Sequence, residues 1–200
     1  NLNVRWCSSY LKIDVCAAAI RNQERFNGLR TLVLSGERGE ESKQRAGYAI
    51  LEPDKSDLRY GKKIVRYVDR YRPIRDWTER RIWDLLEKYR VKPHPCYFMG
   101  FGRCSCKFCI FGNANQFASA ACISHQNFSQ LVKFEKEFGY TLKRDTDLST
   151  LIKKGVPYRD ITPELARLAT SYQYNSDIFI PYTQQWELPA GAFKKCGGPM

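Results

Sequence analysis

The spacing of apolar and polar residues along the chain predicts an α/β protein whose second half is mostly helical. Apolar residues three and four positions apart predict helices at residues 8–22, after Asp76, and at about 125–138 and 163–173. Two short apolar runs flanked by turn residues, Leu29–Leu34 and Ile64–Val68, predict strands, and the first of them is expected to be buried. Strands separated by helices are typical of an α/β layer.

Capping residues predict where two of these helices begin. Asp76 is followed three residues later by a glutamate, which is the pattern of a capping box, and Thr162 precedes a proline at the first helical position. A glycine-rich, charged loop at Ser35–Ser42 is expected to lead into a further helix at Glu41–Ile50. Residues 91–116 are rich in proline, glycine and cysteine, so we expect this segment to be irregular.

Composition places the chain among ordinary globular proteins. Hydrophobic residues make up 43% and charged residues 27% of the 200 positions, and these proportions exclude a disordered tail, a collagen-like fibre and a coiled coil. No apolar run approaches the roughly 20 residues of a membrane span, and the first residues do not resemble a secretory signal. We therefore expect a cytoplasmic protein without a membrane segment.

The net charge of the chain adds a first indication of function. Lysine and arginine number 33 against 21 acidic residues, which gives a formal net charge of +12 and a pI near 9.4. Such a positive field favours anionic partners, among them nucleic acids, nucleotides and phosphorylated or sulfated small molecules. The basic residues are dispersed along the chain, so the charge indicates an anionic partner without identifying it.

The eight cysteines favour metal or redox chemistry over disulfides, because the chain is long for a disulfide scaffold and has no export signal. Cys106 and Cys109 have the C-x-x-C spacing of half a metal site, and Cys96 is the natural third ligand. The fourth ligand is Cys122 or Cys104, with Cys122 preferred because Cys104 and Cys106 point to opposite sides of an extended chain. Four thiolates suit zinc or a [4Fe–4S] cluster, and the spacing does not decide between them. Thiols that bind nothing are the alternative.

The loop after the first predicted strand is the candidate anion site. In α/β proteins, ligands bind where a strand leads into a helix. Arg38 is placed to form charge-assisted bonds with phosphate or sulfate oxygens from this loop. The chain contains no G-x-x-x-x-G-K-[ST] sequence, so the loop is not a P-loop. An ordinary turn with solvated charges is the alternative.

Four segments resemble the phosphoadenosine phosphosulfate (PAPS) reductase family. Gly36–Ala46 resembles the family's G-x-R-x-x-E-S-x-x-R-A element, and Arg72–Thr78 resembles its P-I-x-D-W-T segment. Gly100–Cys109 is similar to G-x-x-R-x-G-C-x-x-C, with a serine in place of the usual second glycine, and Arg5-Trp6-Cys7 resembles the start of R-W-C-T…L-K. These segments follow one another in the family's order, whereas residues 125–200 match only weakly.

This resemblance implies the adenine-nucleotide α-hydrolase fold, a parallel sheet flanked by helices. It implies an ATP pyrophosphatase or a sulfonucleotide reductase, with ATP or a sulfonucleotide as substrate, in sulfur transfer or nucleotide activation. The nucleotide- or anion-binding residues that it implies are Lys12, Gly36, Arg38, Glu41, Ser42 and Arg45. The two arginines and the lysine would contact phosphate or sulfate, while Glu41 and Ser42 would hold the loop. Members with a cysteine cluster, such as the DNA phosphorothioation ATP-pyrophosphatases, imply a [4Fe–4S] cluster rather than zinc.

Cys196 is the candidate catalytic thiol. The segment Lys195-Cys196-Gly197-Gly198 resembles the family's E-C-G-x-H tail, although lysine replaces glutamate and no histidine follows. A neighbouring lysine lowers the pKa of a thiol, but a plain tail is the alternative. His94 lies between two prolines near the cysteines, and we expect it to be a loop histidine rather than a ligand.

The family's pyrophosphate loop, S-G-G-K-D-S, is absent from the sequence. We therefore expect residues 1–116 to be the C-terminal part of a nucleotide-binding α/β domain that includes the cysteine-rich loop, and residues 117–200 to be a helical extension with an irregular tail. A missing N-terminal segment or a partner chain would complete the domain, and the chain alone would not turn over ATP. The alternative is a non-enzymatic, basic, metal-stapled module that binds nucleic acid.

Overall fold

A computed structural model describes residues 6–173, 175 and 177–194. The chain forms two compact units, Asn1–Trp77 and Thr78–Met200. The first unit contains the sheet and the second is helical, which agrees with the expected α/β class and the helical second half. The functional division at residues 116 and 117 stays a prediction.

The first unit begins with a continuous helical segment, where the sequence predicts a helix over 8–22. Its helices are α1 (Trp6–Ser8), α2 (Asp14–Arg21) and α3 (Lys43–Ala46), with a π-helical turn at Ser9–Ile13 and 3₁₀ turns at Glu24–Phe26 and Gly39–Glu41. Its strands are β1 (Arg30–Leu34), β2 (Leu51–Pro53) and β3 (Tyr67–Tyr71).

The three strands form one small mixed sheet in the order β1–β3–β2. β1 and β3 are parallel, as the resemblance implies, whereas β2 runs antiparallel to β3. The helix predicted at Glu41–Ile50 is too long, since α3 ends before Gly47. The chain then turns to pair with β3, because Arg72 N donates a hydrogen bond to Ile50 O at 2.8 Å and Leu51 lies opposite Tyr71.

One face of β1 is exposed, which corrects the expectation of a buried strand. Leu32 and Leu34 are 55% and 67% exposed. An apolar run is typical of a parallel strand covered on both faces, and the described residues cover only one face of β1. In α2, Ala17 and Ile20 are buried, while Val15 is exposed.

The second unit confirms three predicted helices and adds others. Its helices are α4 (Glu79–Lys88), α5 (Pro95–Phe98), α6 (Ala114–Ile123), α7 (His125–Phe138), α8 (Leu148–Lys153) and α9 (Pro163–Thr170). Periodicity predicts α4, α7 and α9, but not α6 and α8. Thr162 caps α9 as expected, since its hydroxyl accepts a hydrogen bond from Leu165 N at 3.2 Å. The cap predicted at Asp76 is wrong, because its carboxylate pairs with the preceding arginine and Thr78 caps α4 instead.

The core of the second unit ties the cysteine-rich loop to two helices. The buried cluster at its centre consists of Phe117, Ala121, Phe128 and Leu148. Phe108, from the cysteine-rich loop, lies with its ring 6.0 Å from that of Phe117 and 5.9 Å from that of Phe128. The segment 91–116 is irregular apart from α5 and the start of α6, which confirms the prediction, and this aromatic contact anchors it.

The helices are short throughout the described part of the chain. The longest, α7, has 14 residues. None of those described combines the length and the apolar character needed to cross a membrane. This finding agrees with the absence of a long apolar run in the sequence.

Candidate functional site

Two segments that are far apart in the sequence meet where the parallel strands of the first unit end. β1 and β3 finish side by side, since Ser35 N donates a hydrogen bond to Tyr71 O at 3.0 Å. The loops that follow these strands stay together, because Gly39 N donates to Arg75 O at 2.8 Å. Ligands of α/β proteins bind at the carboxyl ends of parallel strands. The fold therefore brings two of the motif segments to an edge where a ligand is expected.

Arg72 is the buried cation of this edge. Its side chain is 5% exposed, with Nε 2.6 Å from Glu37 Oε2 and Nη2 2.7 Å from Glu52 Oε1. Burial opposes the charge of Arg72, but hydrogen bonds to the two carboxylates outweigh burial and raise its pKa above the ordinary value. The guanidinium also lies 4.8 Å from the centre of the Tyr48 ring. The sequence analysis assigned no role to Arg72. Its position shortly after a predicted strand, where ligands of α/β proteins bind, could have identified it as a candidate site residue.

The two arginines expected to bind an anion converge on one carboxylate. Arg38 Nε lies 3.7 Å from Glu41 Oε1, and Arg45 Nη1 pairs with Glu41 Oε2. Arg38 also contacts Glu40 through Nη1 at 2.8 Å, and its side chain is only 15% exposed. The loop thus carries two guanidinium groups whose positions are set by acidic neighbours.

Ser42 and Gly36 shape this loop in different ways. Ser42 Oγ accepts a hydrogen bond from Arg45 N at 3.3 Å and so caps α3. Together with Glu41, Ser42 makes contacts of the kind expected of residues that hold the loop. A Cβ at Gly36 would lie 3.8 Å from Ile74 Cδ1, an ordinary contact, so space does not require glycine there. Anion binding by these residues stays a prediction.

Lys12, the remaining residue of the expected anion site, lies exposed in the π-helical turn Ser9–Ile13. Within the described ranges, no hydrogen bond or ion pair joins its side chain to the loop after β1. Its role as a phosphate ligand stays a prediction.

The cysteine-rich loop of the second unit brings together a histidine and two cysteines. His94, Cys96 and Cys104 each offer a ligand atom within 4.8 Å of the other two. His94 caps α5, since its Nδ1 accepts a hydrogen bond from Cys96 N at 3.2 Å, and Pro95 takes the first helical position. Imidazole nitrogen and thiolate sulfur are zinc ligands. This group could therefore hold a metal ion, and His94, expected to be a loop histidine, belongs to it.

These side chains line a cavity of about 170 Å³ within the second unit. Of the predicted metal ligands, Cys96, Cys106 and Cys109 line this cavity, and so does the alternative fourth ligand, Cys104. Cys109 N donates a hydrogen bond to Cys106 O at 3.2 Å, which makes the C-x-x-C segment a turn. Cys122 is exposed on α6 and is not among the lining residues. Four thiols thus line one cavity, but only Cys96 and Cys104 belong with His94 to the group whose ligand atoms lie within 4.8 Å of one another. Metal binding by the four cysteines stays a prediction.

Two pKa shifts describe the electrostatics of this cavity. The hydrogen bond between the thiols of Cys104 and Cys96, together with burial, raises the pKa of Cys96 well above its ordinary value. Burial lowers the pKa of Lys143, and the nearby Cys109 partly opposes this effect. Lys143 Nζ donates a hydrogen bond to Ile110 O at 2.5 Å, so the ammonium group holds the chain just after the C-x-x-C turn. A bound cation would stabilise the Cys96 thiolate, which burial disfavours.

Tyr97 and Gly100 fix the chain reversal that brings Cys104 to Cys96. Tyr97 Oη accepts a hydrogen bond from Cys104 N at 3.3 Å, and its ring packs edge-to-face on Trp83 at 5.2 Å. Gly100 has a φ of +93°, in the left-handed region that favours glycine. The approach of the two thiols therefore depends on a turn that few other residues would form.

The remaining candidate, Cys196, lies outside the described residues. The seven described cysteines are thiols. The catalytic role of Cys196 therefore stays a prediction.

Comparisons with known proteins give a family for the first half of the chain. The family model of the phosphoadenosine phosphosulfate reductase domain matches residues 3–111, more than half of the 200 residues. A protein of Escherichia phage 186, described as an uncharacterized 37.8 kDa protein in the gpa 5' region, is 26% identical over 136 residues. The alignment covers 66% of this chain and 37% of the phage protein, so the chain spans little more than a third of that relative's length. No solved structure matches the chain.

Proposed function

Because the chain belongs to the phosphoadenosine phosphosulfate reductase family, we propose that it is part of an enzyme that acts on ATP or a sulfonucleotide. The reaction is that of an ATP pyrophosphatase or a sulfonucleotide reductase, in sulfur transfer or nucleotide activation. The observation that carries the proposal is the meeting of two family segments at the carboxyl ends of β1 and β3. Both segments lie within the matched residues 3–111.

In this proposal the phosphate or sulfate groups of the nucleotide bind to the arginines of this edge. Glu41 holds Arg38 and Arg45 together, so that one anion meets both guanidinium groups. Arginine forms bidentate, charge-assisted bonds with phosphate. The low exposure of the Arg38 side chain, 15%, strengthens such bonds because little water competes for the guanidinium.

We also propose that a segment outside these 200 residues completes the sheet and supplies the pyrophosphate loop. Among the described residues β1 pairs with β3 alone, which leaves its other edge available to another strand. In addition, Leu32 and Leu34 are exposed on one face of the sheet and make that face apolar. The N-terminal part of the same protein is the proposed occupant, and a partner chain is the alternative. The 37% coverage of the phage relative supports a longer protein.

A metal centre in the cysteine-rich loop belongs to the same proposal. A [4Fe–4S] cluster is the cofactor that the resemblance to cysteine-cluster ATP-pyrophosphatases implies, and zinc is the alternative. The four cysteines that line one cavity support either metal, and the two differ in the ligand geometry that they require. When bound, a cluster supplies redox or sulfur chemistry, whereas zinc supplies a structural link. We propose Cys196 as the reactive thiol and the cytoplasm, where thiols stay reduced, as the location.

Calorimetric titration of the full-length protein with ATP and with a sulfonucleotide tests the nucleotide site. Arg38→Ala removes a charged contact to a bound phosphate, which typically costs about 2–5 kcal/mol, or roughly 30- to several-thousand-fold in affinity. The matched control is Arg30→Ala, because Arg30 lies exposed at the opposite end of β1. Lys153→Ala, at the end of α8, is a second control. Both controls should bind nucleotide as the parent does.

Two results would overturn this proposal. The first is equal nucleotide affinity for Arg38→Ala, both controls and the parent protein. The second is a parent protein that binds neither nucleotide. The nucleic-acid alternative, which the net charge of +12 favours, predicts this second result together with nucleic-acid binding that weakens steeply as salt is raised.

A further inference from the structure

We propose that His94, Cys96 and Cys104 hold a single zinc ion, with a fourth ligand from the turn that carries Cys106 and Cys109. This ligand set differs from the one that the sequence predicts, because it includes a histidine and omits the cysteine on α6. All of its members lie in the second unit. The inference rests on the metal centre of the proposed function, and metal analysis tests it separately from nucleotide binding.

The spacing of the ligand atoms fits one ion better than a cluster. In a tetrahedral zinc site, bonds of about 2.3 Å to sulfur and about 2.0 Å to nitrogen place neighbouring ligand atoms about 3.5–3.8 Å apart. The ligand atoms of His94, Cys96 and Cys104 already lie within 4.8 Å of one another. A movement of about 1 Å would close them around an ion with those bond lengths. In a [4Fe–4S] cluster each thiolate binds a different iron atom, which requires the sulfur atoms to lie farther apart.

The chemical nature of the ligands also favours zinc. One imidazole with three thiolates is a common closed set for structural zinc, whereas [4Fe–4S] clusters are held by four cysteines. Cys106 and Cys109 line the same cavity as the three grouped ligands, so the C-x-x-C turn offers the third thiolate. The combination of His94 with these thiols is what distinguishes a zinc site from the cluster that the sequence alone implies.

The protein backbone already holds the three grouped ligands in position. The hydrogen bond from Cys96 N to His94 Nδ1 places these two residues side by side at the start of α5. Zinc would take the place of this bond, because an Nδ1 that accepts it leaves the ring proton on Nε2. Phe101 N donates to Cys96 O at 3.1 Å, which closes the following turn. Cys104 is then held by its hydrogen bond to Tyr97 Oη. Ligands that are positioned before the metal arrives lose less conformational entropy on binding.

The position of the site predicts that the zinc is structural. It would link α5 to the irregular chain between Gly100 and the start of α6, where Phe101 and Phe108 make aromatic contacts. Because metal-binding free energy contributes directly to folding free energy, a zinc ion here would stabilise this irregular segment.

Metal analysis and cobalt substitution of the full-length protein test this site. We expect one zinc per chain without iron or sulfide, and Co²⁺ in place of zinc should give the visible bands of tetrahedral cobalt with thiolate ligands. Cys96→Ser and Cys104→Ser should each lower zinc affinity at least about 100-fold. Cys122→Ser, which changes an exposed cysteine on α6, is the matched control and should leave zinc affinity unchanged.

Two histidine variants separate the loss of a ligand from the loss of the fold. His94→Ala should weaken zinc binding, whereas His94→Cys should keep the ion in an all-cysteine site with an altered cobalt spectrum. If the parent protein contained iron and sulfide and Cys122→Ser lost both, the zinc proposal would be overturned and the cluster predicted from the sequence would be supported. A protein without zinc or iron, or a His94→Ala variant with the parent's zinc affinity, would overturn it as well.

Discussion

The two compact units of the chain are stabilised by different kinds of interaction. In the described part of the first unit, the buried apolar residues are Ala17, Ile20 and Val68. Among the described residues of the second unit they are more numerous and include larger side chains, namely Trp83, Met99, Phe117, Ala118, Ala120, Ala121, Phe128, Leu148 and Trp186. Since burial of apolar surface is the dominant favourable term in folding, the second unit has the stronger source of stability among its own residues.

Buried charges are a main feature of the first unit. The Asp54 side chain is 1% exposed, and its Oδ2 lies 2.5 Å from Arg70 Nη2. Burial acts to raise the pKa of Asp54, but hydrogen bonds from Ser56 and Arg70 outweigh it and leave the pKa below its ordinary value. Arg66 is also buried and donates a hydrogen bond to Ser56 O at 3.0 Å. Such pairs stabilise a fold only while both partners are present.

This difference indicates how the two units respond to change. The second unit should depend on a few large apolar side chains, whereas the first should depend on ionised groups and therefore on pH. The exposed leucines of β1 also leave the first unit with apolar surface that its described residues do not cover. The comparison thus agrees with the proposal that another segment completes the sheet.

The largest effect is expected in the apolar core of the second unit. Phe117 is 1% exposed at the centre of that core. Phe117→Ala would remove a buried ring and leave a cavity, which typically lowers the free energy of unfolding by about 3–5 kcal/mol. Leu32→Ala, at a position of β1 that is 55% exposed, should lower it by less than about 1 kcal/mol in the 200-residue chain. Urea unfolding followed by circular dichroism measures both values.

The comparison between the units would fail if these two variants lost similar stability. An equal loss would mean that Leu32 is buried in solution, or that the aromatic cluster of the second unit is not its main source of stability. The same Leu32→Ala change in the full-length protein sharpens the test, because a larger loss there would place the covering segment on this face of the sheet.

A smaller effect is expected from acid in the first unit. Asp57 accepts hydrogen bonds from Arg59 Nε and Val68 N, both at 2.8 Å. The bond from Arg59 is the largest cause that lowers the pKa of Asp57 from 3.8 to about 2. The folded state therefore favours the carboxylate, and this contribution to stability is complete above about pH 4 and lost as the pH falls through about 2. Without screening the shift would correspond to about 2 kcal/mol, and the solvent around the partly exposed Arg59 lowers this to between about 1 and 2 kcal/mol.

Urea unfolding at a series of pH values measures this contribution. The parent protein should lose about 1–2 kcal/mol more than Asp57→Asn as the pH is lowered from about 4 to about 2. Asp54 titrates in both proteins, so the difference between them isolates Asp57. Parallel pH profiles for parent and variant would show that the ion pairs of the first unit contribute little to its stability.

Sequence patterns predicted the fold best where an element is amphipathic and local. The helices α4, α7 and α9 each have a polar face, so their apolar residues recur at helical spacing. α6 was not predicted because Gln116 to Ala121 are all buried. A helix that is covered on every side has no polar face, so its apolar residues do not recur at helical spacing. β1 was placed correctly, but its burial depends on neighbours that its own residues do not specify.

The candidate sites also contain both local contacts, between residues close in the sequence, and distant contacts, between residues that the fold brings together. The family resemblance implies that Glu41 and Ser42 hold the loop, and their contacts lie within a few positions along the chain. That role stays a prediction. The meeting of Cys104 with His94 depends on a turn with a positive φ at Gly100. An extended chain, assumed for the region around Cys104, pointed to Cys122 instead. Tertiary reversals of this kind cannot be deduced from the spacing of cysteines alone.

The smallest effect is expected at the start of α9, where the contact that matters is local. Thr162 accepts a hydrogen bond from Leu165 N at 3.2 Å, and Thr162→Ala would leave that donor to water, which typically costs about 1 kcal/mol. Thr162→Ser keeps the hydroxyl and should match the parent in urea unfolding. Ser42→Ala removes the equivalent cap from the single turn of α3 and should cost less, because a helix of four residues has little to propagate. A greater loss for Ser42→Ala would mean that the loop after β1 contributes more to the stability of the first unit than its few buried side chains imply.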